Sequence, residues 1–420
     1  MQRCQVFLFA AYLLTASLTL TSPASLTQAA PETQPSDTSP LAKSPGSALA
    51  CAVAAGPCRW GRTFGGAAED RAYGLVHLPD GGWLLAGNSR EGPGLSFDAW
   101  LLRLDQRGRS LWERRFGGPD TDQVFAAAPT RDGGVVLAGH TRSQGAGQSD
   151  LWLFRLDARG NLLWERVLGG GANERARSII AAREGGFLVS GFTASQGAGD
   201  RDAWILRLDA AGQLLWEQVL GGSGDDGAFH ASPHPEGGFA VVGYRSSDAG
   251  YDLWVLRLDE AGDKLWSRSF DRSVFEAATA VAALPDGGLV VAGVTGIPDS
   301  LQDNVWLAGL DREGTVRWER VLGGPARDNA WAITPRAAGG VVVAAATSSQ
   351  GAGSADAWLI AVDALGDIVW ERVVGGPKWD KPLALSRGVD GGLVIAGTTT
   401  TNGAGYEDYW VFELAIPDTK

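Results

Sequence analysis

Seven carboxylates recur along the chain at Asp70, Asp122, Glu174, Asp226, Glu276, Asp328 and Asp380, in steps of 52, 52, 52, 50, 52 and 52 residues. Gathered on one face around an axis, they would offer a Ca2+ ion the six to eight oxygen ligands it takes. The other reading is that each acid caps backbone amides of the Gly-Gly turn that mostly precedes it. Sevenfold regularity favours the cap, because a functional site breaks the symmetry of a repeat. A second series, Asp98, Asp150, Asp202, Asp252, Asp356 and Asp408, has Asn304 in the remaining place. Asn keeps the acceptor oxygen without the charge, so hydrogen bonding is the expected role there. General acid–base chemistry needs two carboxylates in unlike environments, which equivalent acids do not supply. Glu113-Arg114 and Glu165-Arg166 are expected to pair across strands with Arg103 and Arg155. His230 and His234 lie four apart on one strand side, with no third metal ligand in sight.

Asymmetry is where a specific site belongs. The third residue after each acid of the first series varies: Tyr73, Phe125, Arg177, Phe229, Thr279, Trp331 and Leu383. Small residues two and four places later suit a narrow axis. Trp379 sits just before Asp380, between Lys378 and Lys381. An exposed Trp with flanking charge has the composition of a binding anchor or a sugar-stacking platform; a packed loop residue is the alternative. Trp379, Trp331, Arg177, Tyr73, Phe125 and Phe229 are therefore the ligand-binding candidates. The Gly-Ala-Gly loops at Gly145, Gly197, Gly351 and Gly403 have no helix following them, so turn geometry fits them better than a phosphate cradle.

The elements that must position these residues are set by tryptophan. One series runs Trp100, Trp152, Trp204, Trp254, Trp306, Trp358 and Trp410, and another runs Trp60, Trp112, Trp164, Trp216, Trp266, Trp318 and Trp370. Together they take 14 of the 17 tryptophans, leaving Trp83, Trp331 and Trp379 outside the repeat. Each unit reads as four short strands. In one unit these are 123–130, 135–141, 151–157 and 162–168, joined by Asp-Gly and Gly-Asn turns that tolerate positive φ. The third strand, Leu151-Trp152-Leu153-Phe154, is apolar on successive residues and so is covered on both faces. Radially stacked four-stranded sheets supply that covering. The chain ends on a third strand at Trp410 and opens on a fourth strand at Trp60, so its two ends complete one sheet and lock the ring. The predicted fold is an all-β, seven-bladed propeller over residues 60–420.

The unit GG-x(3)-D…DGG-x(4)-G-x-T-x-S-x-GAG-x(2)-D-x-W-L-x-R-L-D-x(2)-G-x(3)-W-E-R resembles the repeat of secreted bacterial and archaeal β-propeller proteins. That resemblance implies a propeller and export, and it supplies no active-site residues. The Asp-x-x-Gly-x-x-x-Trp core, as in Asp157 to Trp164, is also distantly similar to the tryptophan-docking motif of quinoprotein propellers and of the outer-membrane assembly lipoprotein related to them. Those carry one more residue in the turn and eight blades, which this chain does not. A quinoprotein would bring an ion site and a cationic contact at the axis, for which Arg177 is the inner candidate.

Composition bounds the rest. The 420 residues include 59 glycines, 4 histidines and 3 cysteines, and the formal charge is -12. That charge argues against nucleic acid or an anionic membrane surface as partner. Arg3, the apolar run from Val6 to about Leu20 and Ala29-Ala30 have the order of a secretory signal peptide over 1–30, and the run is short for a transmembrane span. Residues 31–59 read as a Pro/Ser/Thr-rich tether. It holds Cys51 and Cys58, which pair most simply with each other in an oxidising compartment. A lipid anchor at Cys51 is the lesser reading, since a polar stretch separates it from the apolar run. The expectation is an exported, non-enzymatic monomer, in the periplasm, at the cell surface or secreted. It would bind a protein or glycan through one propeller face, with no cofactor required and Ca2+ the one ion the acids would suit. The alternative is a propeller enzyme, either a glycan hydrolase or a quinone-dependent dehydrogenase.

Overall fold

The computed structural model describes residues 58–90, 96–248, 250–273, 275–296, 302–388, 390–401 and 403–416. The leader, most of the tether and Cys51 lie outside these; Cys58 is disulfide-bonded. The described residues form 28 strands in seven four-stranded antiparallel sheets. Blade 1 comprises Asp70–His77, Trp83–Ser89, Asp98–Leu104 and Ser110–Phe116. Blades 2 to 7 open with Asp122–Pro129, Glu174–Ala181, Gly227–Pro233, Glu276–Ala283, Asp328–Pro335 and Asp380–Arg387. Each opening strand touches those of both neighbouring blades, the seventh touching the first, so these strands line the axis of a closed ring. Strand β1 (Cys58–Phe64) pairs antiparallel with the last strand, Asp408–Leu414, and completes blade 7. It begins two residues earlier than the sequence pattern suggests, because Cys58 still pairs with Leu414 across a shift in register before Trp60.

Apolar packing is interblade. Leu84, Ala86 and Leu101 of blade 1 meet Val135, Leu137 and Phe154 of blade 2, and equivalent layers recur around the ring. Third strands such as Asp202–Leu208 are buried at every residue because both faces are covered. The tryptophans of these strands lie in the layers, and most reach a polar partner on the adjacent outer strand. Trp152 Nε1 donates to Glu165 at 2.6 Å, and Trp204 Nε1 donates to Glu217 at 2.9 Å. The glutamates of three Glu-Arg pairs, Glu165, Glu319 and Glu371, are thus acceptors for buried indoles, whereas Trp100 Nε1 and Glu113 Oε2 are without a partner among the described residues. Arg103 and Arg155 do not face them; they reach Asp80 and Asp132 at the first hairpin turn of their own blades. That corrects the cross-strand pairing expected from the sequence. The register explains it, since Arg103 lies opposite Trp112 rather than Glu113.

Outer-strand tryptophans tie each blade to the next. Trp216 of blade 3 lies against Gly262, in the turn between the last two strands of blade 4, and its Nε1 donates to the Glu260 carbonyl at 3.0 Å. Trp266 and Trp318 repeat the bond to Arg312 and Ala364 carbonyls. Trp60 of β1 docks on Gly108 of blade 1, so the same contact seals the ring. Gly262 has φ +89°, and a Cβ there would come within 2.9 Å of the Trp216 ring. Gly237 has a similar φ of +92° but open space around it. Gly262→Ala should therefore cost about 2 kcal/mol, from backbone strain plus overpacking, and Gly237→Ala about 1 from strain alone. Urea melts of the two variants check this; equal losses would show that the indole does not press on the turn.

Candidate functional site

Each opening strand skips one residue in its ladder, always at the same place. In blade 1, Ala72 pairs with Gly87 and Gly74 with Ala86, which leaves Tyr73 unpaired. The same skip frees Phe125, Arg177, Phe229, Thr279, Trp331 and Leu383. A bulge re-aims the extra side chain. Here it aims toward the axis: Phe125 of blade 2 and Phe229 of blade 4 both reach Arg177 of blade 3, at 5.3 and 5.4 Å from ring centroid to guanidinium. Tyr73 meets Phe125 edge-on at 5.2 Å. Four of the candidate residues thus form one arc across blades 1 to 4.

The arc continues into side chains that the sequence reading passed over. His140 stacks on Phe125 at 5.7 Å, and Arg175 lies over the same ring at 5.3 Å. Tyr244 packs on Phe229, Tyr251 on Tyr244, and Phe275 on Tyr251. Both tyrosine hydroxyls donate toward Asp225, at 3.4 and 3.5 Å. Burial and the nearby Arg175, Arg177 and Arg142 hold the His140 imidazole well below its usual range, so it is neutral. Burial also lowers the Arg177 guanidinium. Trp331 occupies its bulge in blade 6. Trp379 is exposed at 47%, on the same mouth in blade 7, with the Lys381 ammonium 4.0 Å from its ring centroid. Its backbone bridges to Ala355 of blade 6 and bonds to Thr400. Trp83 is core, buried between blades 7 and 1.

The seven opening acids sit one per blade, all buried. Each binds its own loops. Asp122 accepts from Gly118 N at 2.6 Å, from Thr141 Oγ1 and from Ser143 Oγ at 2.6 Å. Glu174, with its longer side chain, accepts the equivalent bonds from Gly170, Thr193 and Ser195. Among the described residues no three His, Cys, Asp or Glu side chains converge as a metal group. His230 and His234 have separate partners: His230 accepts from Val281 N, while His234 bridges Gly287 O and Arg257. The donor set of the described residues does not fit a quinone cofactor with its divalent cation.

The second acid series clamps the Gly-Ala-Gly loops. Asp150 accepts from Gly147 N at 3.0 Å, Asp202 from Gly199 N at 3.1 Å, and Asp356 from Gly353 N at 3.0 Å. Across most blade junctions, the two series also face each other around one glycine; a Cβ on Gly169 would strike both Asp150 and Glu174. Asp98 has no such glycine amide in the described residues and leaves Oδ1 unpartnered. Burial, then the Asp122 charge, push its carboxyl up to about 6 against the pull of Arg115.

The description of one family model, outer membrane protein assembly factor BamB, matches residues 149–379, more than half of the chain. The chain belongs to that family. No curated protein matches its sequence significantly. Among solved structures, this BamB-family chain is similar to a fungal alcohol oxidase of the AA5 family in complex with copper, at 14% identity over 86% of this chain and 76% of that one, TM-score 0.51. It is also similar to the Neurospora crassa Pan2 WD40 domain, at 13% identity over 84% and 90%, TM-score 0.49. A third likeness is puromycin hydrolase, at 19% identity over 85% of this chain and 52% of that one, TM-score 0.49. Such likenesses bear on the fold alone.

The raised Asp98 carboxyl has a pH consequence. Its folded-state value lies above the unfolded one of about 3.9, so its contribution to stability is full at low pH and is lost as pH rises through about 6. Asn304 shows that the fold accepts the neutral side chain at this place. Asp98→Asn should stabilise the protein by about 1 kcal/mol at pH 8, after allowance for solvent screening at a half-exposed site, and leave it unchanged near pH 4. Denaturant melts at the two pH values test this; a loss at pH 8 would mean that the carboxylate is favourably paired.

Proposed function

We propose that the protein is an exported, non-enzymatic scaffold that engages a protein partner through the mouth where the opening strands begin. One observation carries this: the side chains that break the sevenfold repeat collect at that mouth. The bulge residues, the residue before each opening acid and the residue before each third-strand acid all vary there, while the hairpin turns at the opposite end keep their glycines. Trp379 and Tyr406, exposed at 47% and 78%, lie on this mouth and supply aromatic area for an interface. Membership of a family described by outer-membrane protein assembly agrees with a periplasmic site of action. The expected leader supports export, and its residues lie outside those described.

A photoreactive phenylalanine analogue placed at position 379, in cells producing the full chain, should give discrete crosslinked protein bands. The same analogue at Leu215, on the outer rim, should give none. A band pattern common to both positions, or none at 379, would overturn the reading.

A further inference from the structure

Arg177 stands without an anion. Its Nε is buried with no hydrogen-bond partner, and its guanidinium makes no ion pair or hydrogen bond with any described residue. Its neighbours are the Phe125 and Phe229 rings, with Arg201 adding positive charge and only the neutral hydroxyls of Tyr73 and Tyr244 nearby. Two aromatic faces recover part of a cation's hydration. The residue as a whole is partly exposed, so the uncovered desolvation cost falls on the buried Nε. This occurs in a chain with twelve excess negative charges, where a buried carboxylate partner would be easy to supply. The chain spends its axial carboxylates on loop amides and hydroxyls instead. The bulge that aims Arg177 is the same one that aims the two flanking rings, so the slot is built by the backbone of three consecutive blades.

We infer that the axial cleft between blades 2 and 4 is a binding site for a carboxylate, received by the Arg177 guanidinium between the rings of Phe125 and Phe229. A guanidinium presents a planar fork that a carboxylate matches with two parallel hydrogen bonds, and the two ring centroids lie 5.3 and 5.4 Å from it. Arg175, two residues before, places a second cation over Phe125 and extends the positive potential along the entry. The inference rests on the scaffold reading and names the chemistry that a partner inserts: an acidic side chain of a peptide segment. A small dicarboxylic acid carries the same group.

The test is a thermal-shift titration of the full chain, at constant ionic strength, with the blocked peptide acetyl-hexaglutamate-amide, its hexaglutamine analogue, glutarate and sulfate. The wild type should gain about 4 °C at one hundred times the dissociation constant of the carboxylate probe, and nothing from hexaglutamine. Arg177→Met should abolish the shift while melting at or above the wild-type temperature, since it removes a charge that lacks a counter-ion. Arg177→Lys, which keeps the charge but not the fork, should weaken the apparent affinity at least tenfold. A response to the peptide supports a partner-borne side chain. A response to glutarate alone supports the site with a small acid as its occupant. No shift with either probe, an equal shift with sulfate, or an undiminished shift in Arg177→Met would overturn the inference. The crosslinks from position 379 do not depend on Arg177, so the scaffold reading stands or falls separately.

Discussion

At six of its seven blade junctions this ring is held at the rim by an indole laid on a glycine that cannot accept a side chain. The Asp-x-x-Gly turn brings that glycine to positive φ, and the aspartate fixes the turn through its own amides, as Asp157 does for Arg159 and Asn161. The preceding blade's tryptophan then covers the flat surface so created. Because the contact recurs at every described turn of this type, the interblade angle is set locally and repeatedly. Trp60 on Gly108 makes the joint between blades 7 and 1 equivalent to those between blades 1 and 6. An error in any one turn would be an error in closure, which is why this motif is the most regular part of the chain.

A scaffold fixed at its rim leaves the axis free to vary. The bulge in each opening strand is part of the repeat, but the residue it exposes is not, so seven unlike side chains meet without disturbing the ladders around them. The same division appears in the charges. Opening acids and third-strand acids are tied to amides and hydroxyls of their own loops, and so serve geometry. Arginines 71, 175, 177 and 201, with Lys381, collect on the mouth, where aromatic rings or single acids meet them. The regular carboxylates thus organise the mouth, and the irregular cations give it its character.

How far the sequence revealed this follows from what a repeat makes visible. Period, blade number, strand order and the shared seventh sheet were legible because Trp and Gly recur at fixed offsets, and strand ends shifted by only a residue or two. The arc of Tyr73, Phe125, Arg177 and Phe229 was legible as a variable column. The bulge that brings its members together was not, because a skipped ladder bond leaves no residue signature of its own. His140, Tyr244 and Tyr251 were missed for a simpler reason. They occupy further variable columns, beside the second-strand Thr and the third-strand acid, and aligning the seven units at every offset would have displayed them. The Glu-Arg pairs misled because sequence adjacency suggested a neighbour, whereas the register set Trp112 opposite Arg103.

The junction acids show how near this design runs to its limit. Two carboxylates face each other around one glycine at most blade boundaries, and each is tolerable only because loop amides and hydroxyls point at it. Where the Gly-Ala-Gly loop supplies an amide, as at Asp150, Asp202 and Asp356, burial and the facing acid still raise the carboxyl. At Asp98, burial and then the Asp122 charge raise the carboxyl to about 6 against the pull of Arg115. In blade 5 the chain replaces the acid by Asn304, which keeps the acceptor oxygen beside Gly323 and drops the charge. The charge at this position is therefore dispensable: the Asn304 oxygen beside Gly323 accepts no hydrogen bond among the described residues, as with the facing oxygens of Asp98 and Asp356, and the repulsion between acids is a cost that the loops are shaped to offset.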